Sequence, residues 1–134
     1  MTLFLDSSVT LAACASTTGA SRHIINSASA AGRELLTSEY SIQEVRANVP
    51  RLGTSAIESC ERILPKLAIV PDVVSFPWVT VFPPAKDRPI LFTAACYADV
   101  LVTLDRKDFQ GLLGMRFYML QILTPEHFVR LFRT

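Results

Sequence analysis

Apolar residues along the chain fall into two kinds of stretch, short continuous runs and longer segments with helical spacing. Leu3-Phe4-Leu5 is a run that stops at Asp6, and Ser7-Ser8 then opens a segment carrying Val9, Leu11, Ala12 and Ala15. This pattern predicts a strand, an acidic turn and a helix with a serine as N-cap. Ser16-Thr17-Thr18-Gly19 breaks that helix, and Ile24, Ile25, Ala28 and Ala31 predict another, capped by Ser21 and stopped at Gly32. Glu34-Leu35-Leu36-Thr37 reads as a second strand ending at Ser38. A helix from about Ser41 would place Ile42, Val45 and Val49 on one face until Pro50 forbids its continuation. Thr54 or Ser55 starts a further helix through Ile57, Cys60, Ile63 and Leu64.

Prolines interrupt residues 67–82, where only 79–82 suggests a strand, and Pro83-Pro84 marks a loop. Asp87-Arg88-Pro89 is a strong helix start, an acidic N-cap with proline in the first turn, ahead of Ile90, Leu91, Ala94, Ala95 and Ala98. The β-branched run Val100-Leu101-Val102-Thr103-Leu104 predicts a strand covered on both faces and ended by Asp105. Residues 109–113 read as a short helix, 117–120 as the last strand, and Thr124-Pro125-Glu126 as the capped start of a terminal helix through Phe128 and Leu131. Strands alternating with helices imply an α/β fold, a parallel sheet flanked on both sides. No repeat or linker divides the 134 residues, so residues 1–134 are expected to form a single domain.

Composition narrows the function classes. Half of the residues are hydrophobic and the net charge is +1, which excludes a disordered chain. Residues 1–67 carry six basic and six acidic side chains and residues 68–134 seven and six, so no basic tail announces nucleic-acid binding. A positive surface would have to be assembled by folding. Cys14, Cys60 and Cys96 are far apart and odd in number, without metal-ligand spacing, and each is expected to be a small buried hydrophobe. His23 and His127 likewise show no ligand spacing and read as surface or capping residues. Asp6 interrupts the first apolar run, and Asp72 with two prolines interrupts the most apolar later stretch. Neither reads as a signal peptide or a membrane span, which predicts a cytoplasmic protein with no membrane contact.

In open parallel sheets ligands sit beyond the carboxyl ends of the strands. Asp6 and Asp105 each follow a strand at that edge. Asp87 stands at the start of the helix leading into the 100–104 strand, and Glu44 lies one turn inside the helix that follows the second strand. Two carboxylates ~5 Å apart repel by roughly 3 kcal/mol at an effective dielectric of ~20. Convergence of four would raise their pKa values or require a divalent ion. Oxygen-only ligands suit Mg²⁺ or Mn²⁺, which retain sites for phosphate oxygens and support phosphodiester hydrolysis. Each acid also has an ordinary explanation: Asp6, Asp105 and Asp87 as helix N-caps, Glu44 as a solvated helix residue.

The segments Leu3-Phe4-Leu5-Asp6-Ser7-Ser8-Val9, Leu36-Thr37-Ser38 with Gln43-Glu44-Val45, Lys86-Asp87-Arg88-Pro89-Ile90-Leu91 and Ala98-Asp99-Val100-Leu101-Val102-Thr103-Leu104-Asp105-Arg106-Lys107-Asp108-Phe109 resemble the PIN domain family, in that family's order. Thr124-Pro125-Glu126-His127-Phe128 is similar to its usual ending, so the resemblance runs from about Leu3 to Phe128. The long fourth segment is the most specific. The resemblance implies a Rossmann-like three-layer α/β/α sandwich with a mostly parallel central sheet. It also implies a Mg²⁺- or Mn²⁺-dependent endoribonuclease, similar to the VapC-like toxins of type II toxin–antitoxin pairs, which are usually homodimers inhibited by an antitoxin protein. Asp6, Glu44, Asp87 and Asp105 fall on the family's acidic positions, and Asp6, Asp87, Asp105 and Asp108 would hold the metal. Thr103 matches the hydroxyl position before the last acid, where it would hydrogen-bond a ligand carboxylate or a water on the metal. Ser8 stands where many members carry asparagine, and a serine there retains a donor for Asp6.

Lys86 and Arg88 flank Asp87, and Arg106 and Lys107 follow Asp105. They would hold phosphates of an RNA substrate or, equally, be solvated charges that relieve acidic repulsion. Arg46 and Arg51 are weaker candidates for the same role. Phe76, Trp78 and Phe82 suit a core or dimer contact better than base stacking. The competing reading of the whole chain is a catalytically silent module of this fold that binds a partner protein or RNA. A phospho-accepting receiver domain would need an acid pair directly after the first strand, where Ser7-Ser8 stands.

Overall fold

Successive residues of a strand point to opposite faces of a sheet, and β1 (Thr2–Leu5) sets the layering in this way. Leu3 and Leu5 lie in one apolar layer and Phe4 in the other, all three fully buried. The computed structural model describes residues 1–73, 88–109 and 111–133. After β1 come α1 (Ser7–Ala15), α2 (Ala20–Ser27), β2 (Glu34–Ser38), α3 (Glu39–Asn48), α4 (Thr54–Ile63), β3 (Ala68–Val70), α5 (Arg88–Tyr97), β4 (Val100–Val102), β5 (Arg116–Phe117), β6 (Leu120–Leu123) and α6 (Pro125–Leu131). Their strands form one six-stranded sheet in the order β3-β2-β1-β4-β6-β5. Every pairing is parallel except that of β5 with β6.

On one face α1, α2, α4 and α6 bring Val9, Ala13, Ile24, Ala56, Ile63 and Phe128 against Leu3, Leu5, Leu35, Val100, Val102 and Leu123. On the other, Ile90, Leu91, Phe92 and Ala94 of α5 join Phe109 against Phe4, Leu36, Leu101 and Ile122. The chain is therefore an α/β protein with apolar layers on both faces of a mostly parallel sheet, compatible with a three-layer fold. Among the described residues no helix is long and apolar enough to cross a membrane.

Several boundaries differ from the sequence expectation, each for a local reason. The N-cap of α1 is Asp6 rather than a serine: its carboxylate accepts from the Ser7 N–H at 2.8 Å, and its carbonyl accepts from Val9 at 3.0 Å. Ser21 is buried inside α2, which starts after Gly19. Ser38 caps α3 by accepting from the Ser41 N–H, so that helix begins two residues before Ser41. Ala68–Val70 is a strand inside the proline-rich region, too short to reveal a period on its own. β4 stops at Val102, and Asp105 lies three residues beyond its end. Of the stretch expected to be a helix, the described residues Phe109 and 111–113 lie in turns, the Phe109 carbonyl taking both the Leu112 and Leu113 N–H groups. The last strand is Leu120–Leu123, folded back on Arg116–Phe117 through a turn in which Tyr118 has φ 55°. Cys14 and Cys60 are buried in the same layer, but Cys96 is exposed. The expected strand at 79–82 and the aromatic residues Phe76, Trp78 and Phe82 lie outside the described residues.

Gly32 ends the α2 region as its position suggests. The Arg33 N–H reaches back to the Ala28 carbonyl at 2.8 Å and the Gly32 N–H to Ser29 at 3.2 Å, with Gly32 at φ 67°. This pair of bonds is the Schellman arrangement, which needs a left-handed residue at its corner. A Cβ there would meet no atom within 4 Å, so only backbone strain opposes a substitution. Gly32→Ala is expected to lower stability by about 1 kcal/mol, read as a shift of the urea midpoint. An unchanged midpoint would contradict the strain argument.

Candidate functional site

The order of strands creates a crevice before any side chain is considered. From β1 the chain moves to β2 and β3 on one side, whereas from β4 it moves to β6 on the other. Adjacent β1 and β4 therefore form the switch point at which loops diverge, and ligands bind at the carboxyl ends of such strands. Asp6 directly follows β1, and Asp105 lies in the segment leaving β4.

Backbone ladders carry the two acids to this place. The Asp6 N–H bonds the Val102 carbonyl at 3.1 Å, extending the β1–β4 pairing by one residue. The Thr103 N–H bonds the Leu123 carbonyl at 3.0 Å, extending β4 against β6. Thr103, fully buried, donates its hydroxyl to Asp6 Oδ2 at 2.7 Å and accepts the Asp105 N–H at 3.0 Å. Ser8 does the same from α1, donating to Asp6 Oδ2 at 3.2 Å and accepting the Leu104 N–H at 3.1 Å. A hydroxyl has one proton to give. One lone pair of each hydroxyl accepts a backbone N–H and each proton is given to Asp6, so Oδ2 is held as an acceptor. Oδ1 takes the Ser7 N–H.

Asp6 is 5% exposed, and burial pushes its carboxyl pKa above the usual 3.8. The hydrogen bonds from Thr103, Ser8 and Ser7 act the other way, and the nearby Asp105 charge raises it further. The net shift is upward, so the ionised form is short of compensation despite three donors. Asp105 is half-buried; its Oδ1 accepts the Asp108 N–H at 2.9 Å and so caps the turn that follows. Its Oδ2 takes no hydrogen bond from the described residues. The ordinary capping role and the role at the crevice thus belong to different features of the same side chains.

Of the residues singled out from sequence, Asp6, Ser8, Thr103 and Asp105 form one connected group. Glu44 is half-buried in the second turn of α3, which starts from the same edge, and Asp108 is half-buried one turn after Asp105. Among the described residues no three Asp, Glu, His or Cys side chains converge closely enough to hold a metal ion. Asp87 and Lys86 lie outside the described residues. Arg88 is exposed at the first position of α5. Arg106 and Lys107 are exposed as well, Arg106 making a 3.9 Å contact with Glu126 in which both side chains are mostly solvated. Such a pair contributes little and leaves Arg106 able to exchange partners.

The donor chemistry fits a hard dication. Asp6 and Asp105 offer carboxylate oxygens, no imidazole or thiolate joins them among the described residues, and burial leaves the Asp6 charge unfavourable in a way that a cation would offset. One contributor went unnoticed in the sequence. Thr37 is buried at the end of β2, its hydroxyl directed at the Leu5 carbonyl at 3.4 Å, beside the turn into Asp6. The threonine after Leu35-Leu36 was the available signal. No model of a known protein family matches the chain, nor does any curated protein.

Proposed function

We propose that this protein is a Mg²⁺- or Mn²⁺-dependent endoribonuclease of the PIN type, with a Rossmann-like α/β/α fold. The observation that carries the reading is the buried Asp6, held by two directed hydroxyls beside Asp105 at the switch point between β1 and β4. Asp6 and Asp105 would hold the metal, with Asp87 and Asp108 completing its surroundings as the family resemblance implies. A dication there would supply Lewis-acid polarisation of a phosphodiester oxygen and neutralise the acids.

The chain's own groups do the rest. Ser8 and Thr103 keep the Asp6 carboxylate in one orientation, so no reorganisation is needed when a ligand arrives. Glu44 would position the attacking water from α3. Arg106, Lys107, Arg88 and Lys86 would bind phosphates of a single-stranded or loop RNA. A homodimer, an inhibiting antitoxin protein and a cytoplasmic location belong to the same reading.

A second reading, the catalytically silent binding module, is favoured in that no three Asp, Glu, His or Cys side chains among the described residues come together closely enough to hold a metal ion. Two experiments separate the readings. With Mn²⁺ the wild-type protein is expected to cleave an RNA pool, and Asp6→Asn to lose more than ~100-fold of that rate, beyond what disturbing an outer-shell group does. Equal cleavage by both proteins refutes the nuclease assignment. Calorimetry that detects no Mn²⁺ binding at millimolar concentration supports the silent module.

A further inference from the structure

We propose that a phosphate group binds at the amino-terminal edge of the sheet, in a cavity between α2 and α6 lined by His23, Arg33 and Arg133. The cavity has a volume of about 260 Å³, and Ile24, Val129 and Phe132 form its apolar walls. That volume would hold roughly nine water molecules at ~30 Å³ each, enough for a phosphate with a small organic substituent. Among the described residues no carboxylate lines it, and none of the three basic side chains is paired with an acid. Two arginines without an acidic partner around apolar walls concentrate positive potential in the cavity, and the His23 ring adds a hydrogen-bonding group.

Arg33 is the fixed member. Its Nη2 donates to the Phe132 carbonyl at 2.8 Å, its guanidinium carbon lies 4.9 Å from the centre of the Phe128 ring, and its backbone N–H is held by Ala28. The remaining guanidinium N–H groups take no acceptor among the described residues. A guanidinium held in this way loses little freedom when an anion arrives. Arg133 and His23 are exposed and able to close over the ligand. Two arginine forks and an imidazole match a tetrahedral dianion with several acceptor oxygens better than a single carboxylate, which one arginine would satisfy.

The location separates this site from Asp6 and Asp105. Arg33 immediately precedes β2, and Phe132 follows α6, which starts beyond the carboxyl end of β6 and returns along the sheet. Both therefore lie at the opposite ends of the parallel strands, so the proposal is independent of the nuclease reading.

The test titrates ¹⁵N-labelled protein with inorganic phosphate and with phenyl phosphate, against chloride at matched ionic strength. Saturable shifts of the Arg33 and Arg133 side-chain N–H signals are expected with both phosphates. Arg133→Gln, a change at an exposed residue, is expected to weaken binding about tenfold, the effect of losing one charge-assisted partner. Arg33→Gln should weaken it at least as much, and Asp6→Asn should leave it unchanged. Tighter binding of phenyl phosphate assigns a phosphate monoester as the ligand, and equal binding assigns free phosphate. Absence of saturation, equal shifts with chloride, or unaltered affinity in Arg133→Gln overturns the proposal.

Discussion

In metal-free buffer at neutral pH, Asp6→Asn is expected to melt at a higher temperature than the wild-type protein and to gain nothing further from added Mg²⁺. Folding moves Asp6 from water to a site where it is 5% exposed, and its pKa rises above 3.8 chiefly through that burial. Asparagine removes the charge, keeps an acceptor for the Ser7 N–H and presents an NH₂ to hydroxyls that still have a free lone pair. Each kcal/mol relieved would raise the melting temperature by roughly 4 °C in a domain of this size.

The pH dependence follows from the direction of the shift. At a pH between the unfolded value near 3.8 and the raised folded value, the folded protein holds a proton that the unfolded chain has released. The Asp6 contribution therefore becomes less favourable as pH rises through this window, and its penalty is full above the folded pKa. Acidification from neutrality should close the gap between variant and wild type, completing the closure near pH 3.8. Thermal melts between pH 3 and pH 8 at constant ionic strength would measure this. A variant less stable than wild type at neutral pH, with a gap that widens on acidification, would show that burial of the charge is not the dominant effect. A Mg²⁺-induced rise that survives in Asp6→Asn would remove Asp6 from the ligand set.

The largest loss of stability is expected from Phe4→Ala, about 3–5 kcal/mol. Phe4 is fully buried in the central strand β1 and packs in the layer formed by α5, Leu36, Leu101 and Ile122. Its removal leaves a cavity between sheet and helix, and the two strands flanking β1 prevent the backbone from collapsing into it. A net stability of ~5–15 kcal/mol would be cut by roughly a fifth or more. Urea unfolding reads the change directly, and a loss below ~1 kcal/mol would contradict the packing described for this face. Failure of this variant to fold at all agrees with the expectation, and Phe4→Leu, which leaves a smaller void, then supplies the graded measurement.

Local signals were clearest wherever one element carried its own stop. Leu3-Phe4-Leu5 before Asp6, Pro50 after Val49, Gly32 before Arg33 and Thr124 before Pro125 all mark boundaries whose cause lies in one residue, through its backbone at Pro50 and Gly32 and through a capping side chain at Asp6 and Thr124. The edge strands were harder to read. Ala68–Val70 and Arg116–Phe117 are two or three residues long, and their strand character comes from partners, β2 in one case and β6 in the other. The 109–113 stretch has helical composition, but the Phe109 carbonyl is taken up in a turn between the Asp105 cap and Gly114. Composition cannot anticipate such a competition, because it is decided by where the neighbouring strand must restart.

At the site, the order of apolar runs and intervening acids determined that Asp6 and Asp105 would follow strands of a parallel sheet, since hydrophobic periodicity and turn chemistry act within a few residues. Their meeting depended on β4 pairing with β1 although more than ninety residues separate them, a choice made by packing on both faces of the sheet. The directed hydroxyls of Ser8 and Thr103, the burial that raises the Asp6 pKa and the cluster of His23, Arg33 and Arg133 arise in the same way. Orientation and local dielectric are properties of an environment, and that environment exists only after distant segments have packed together.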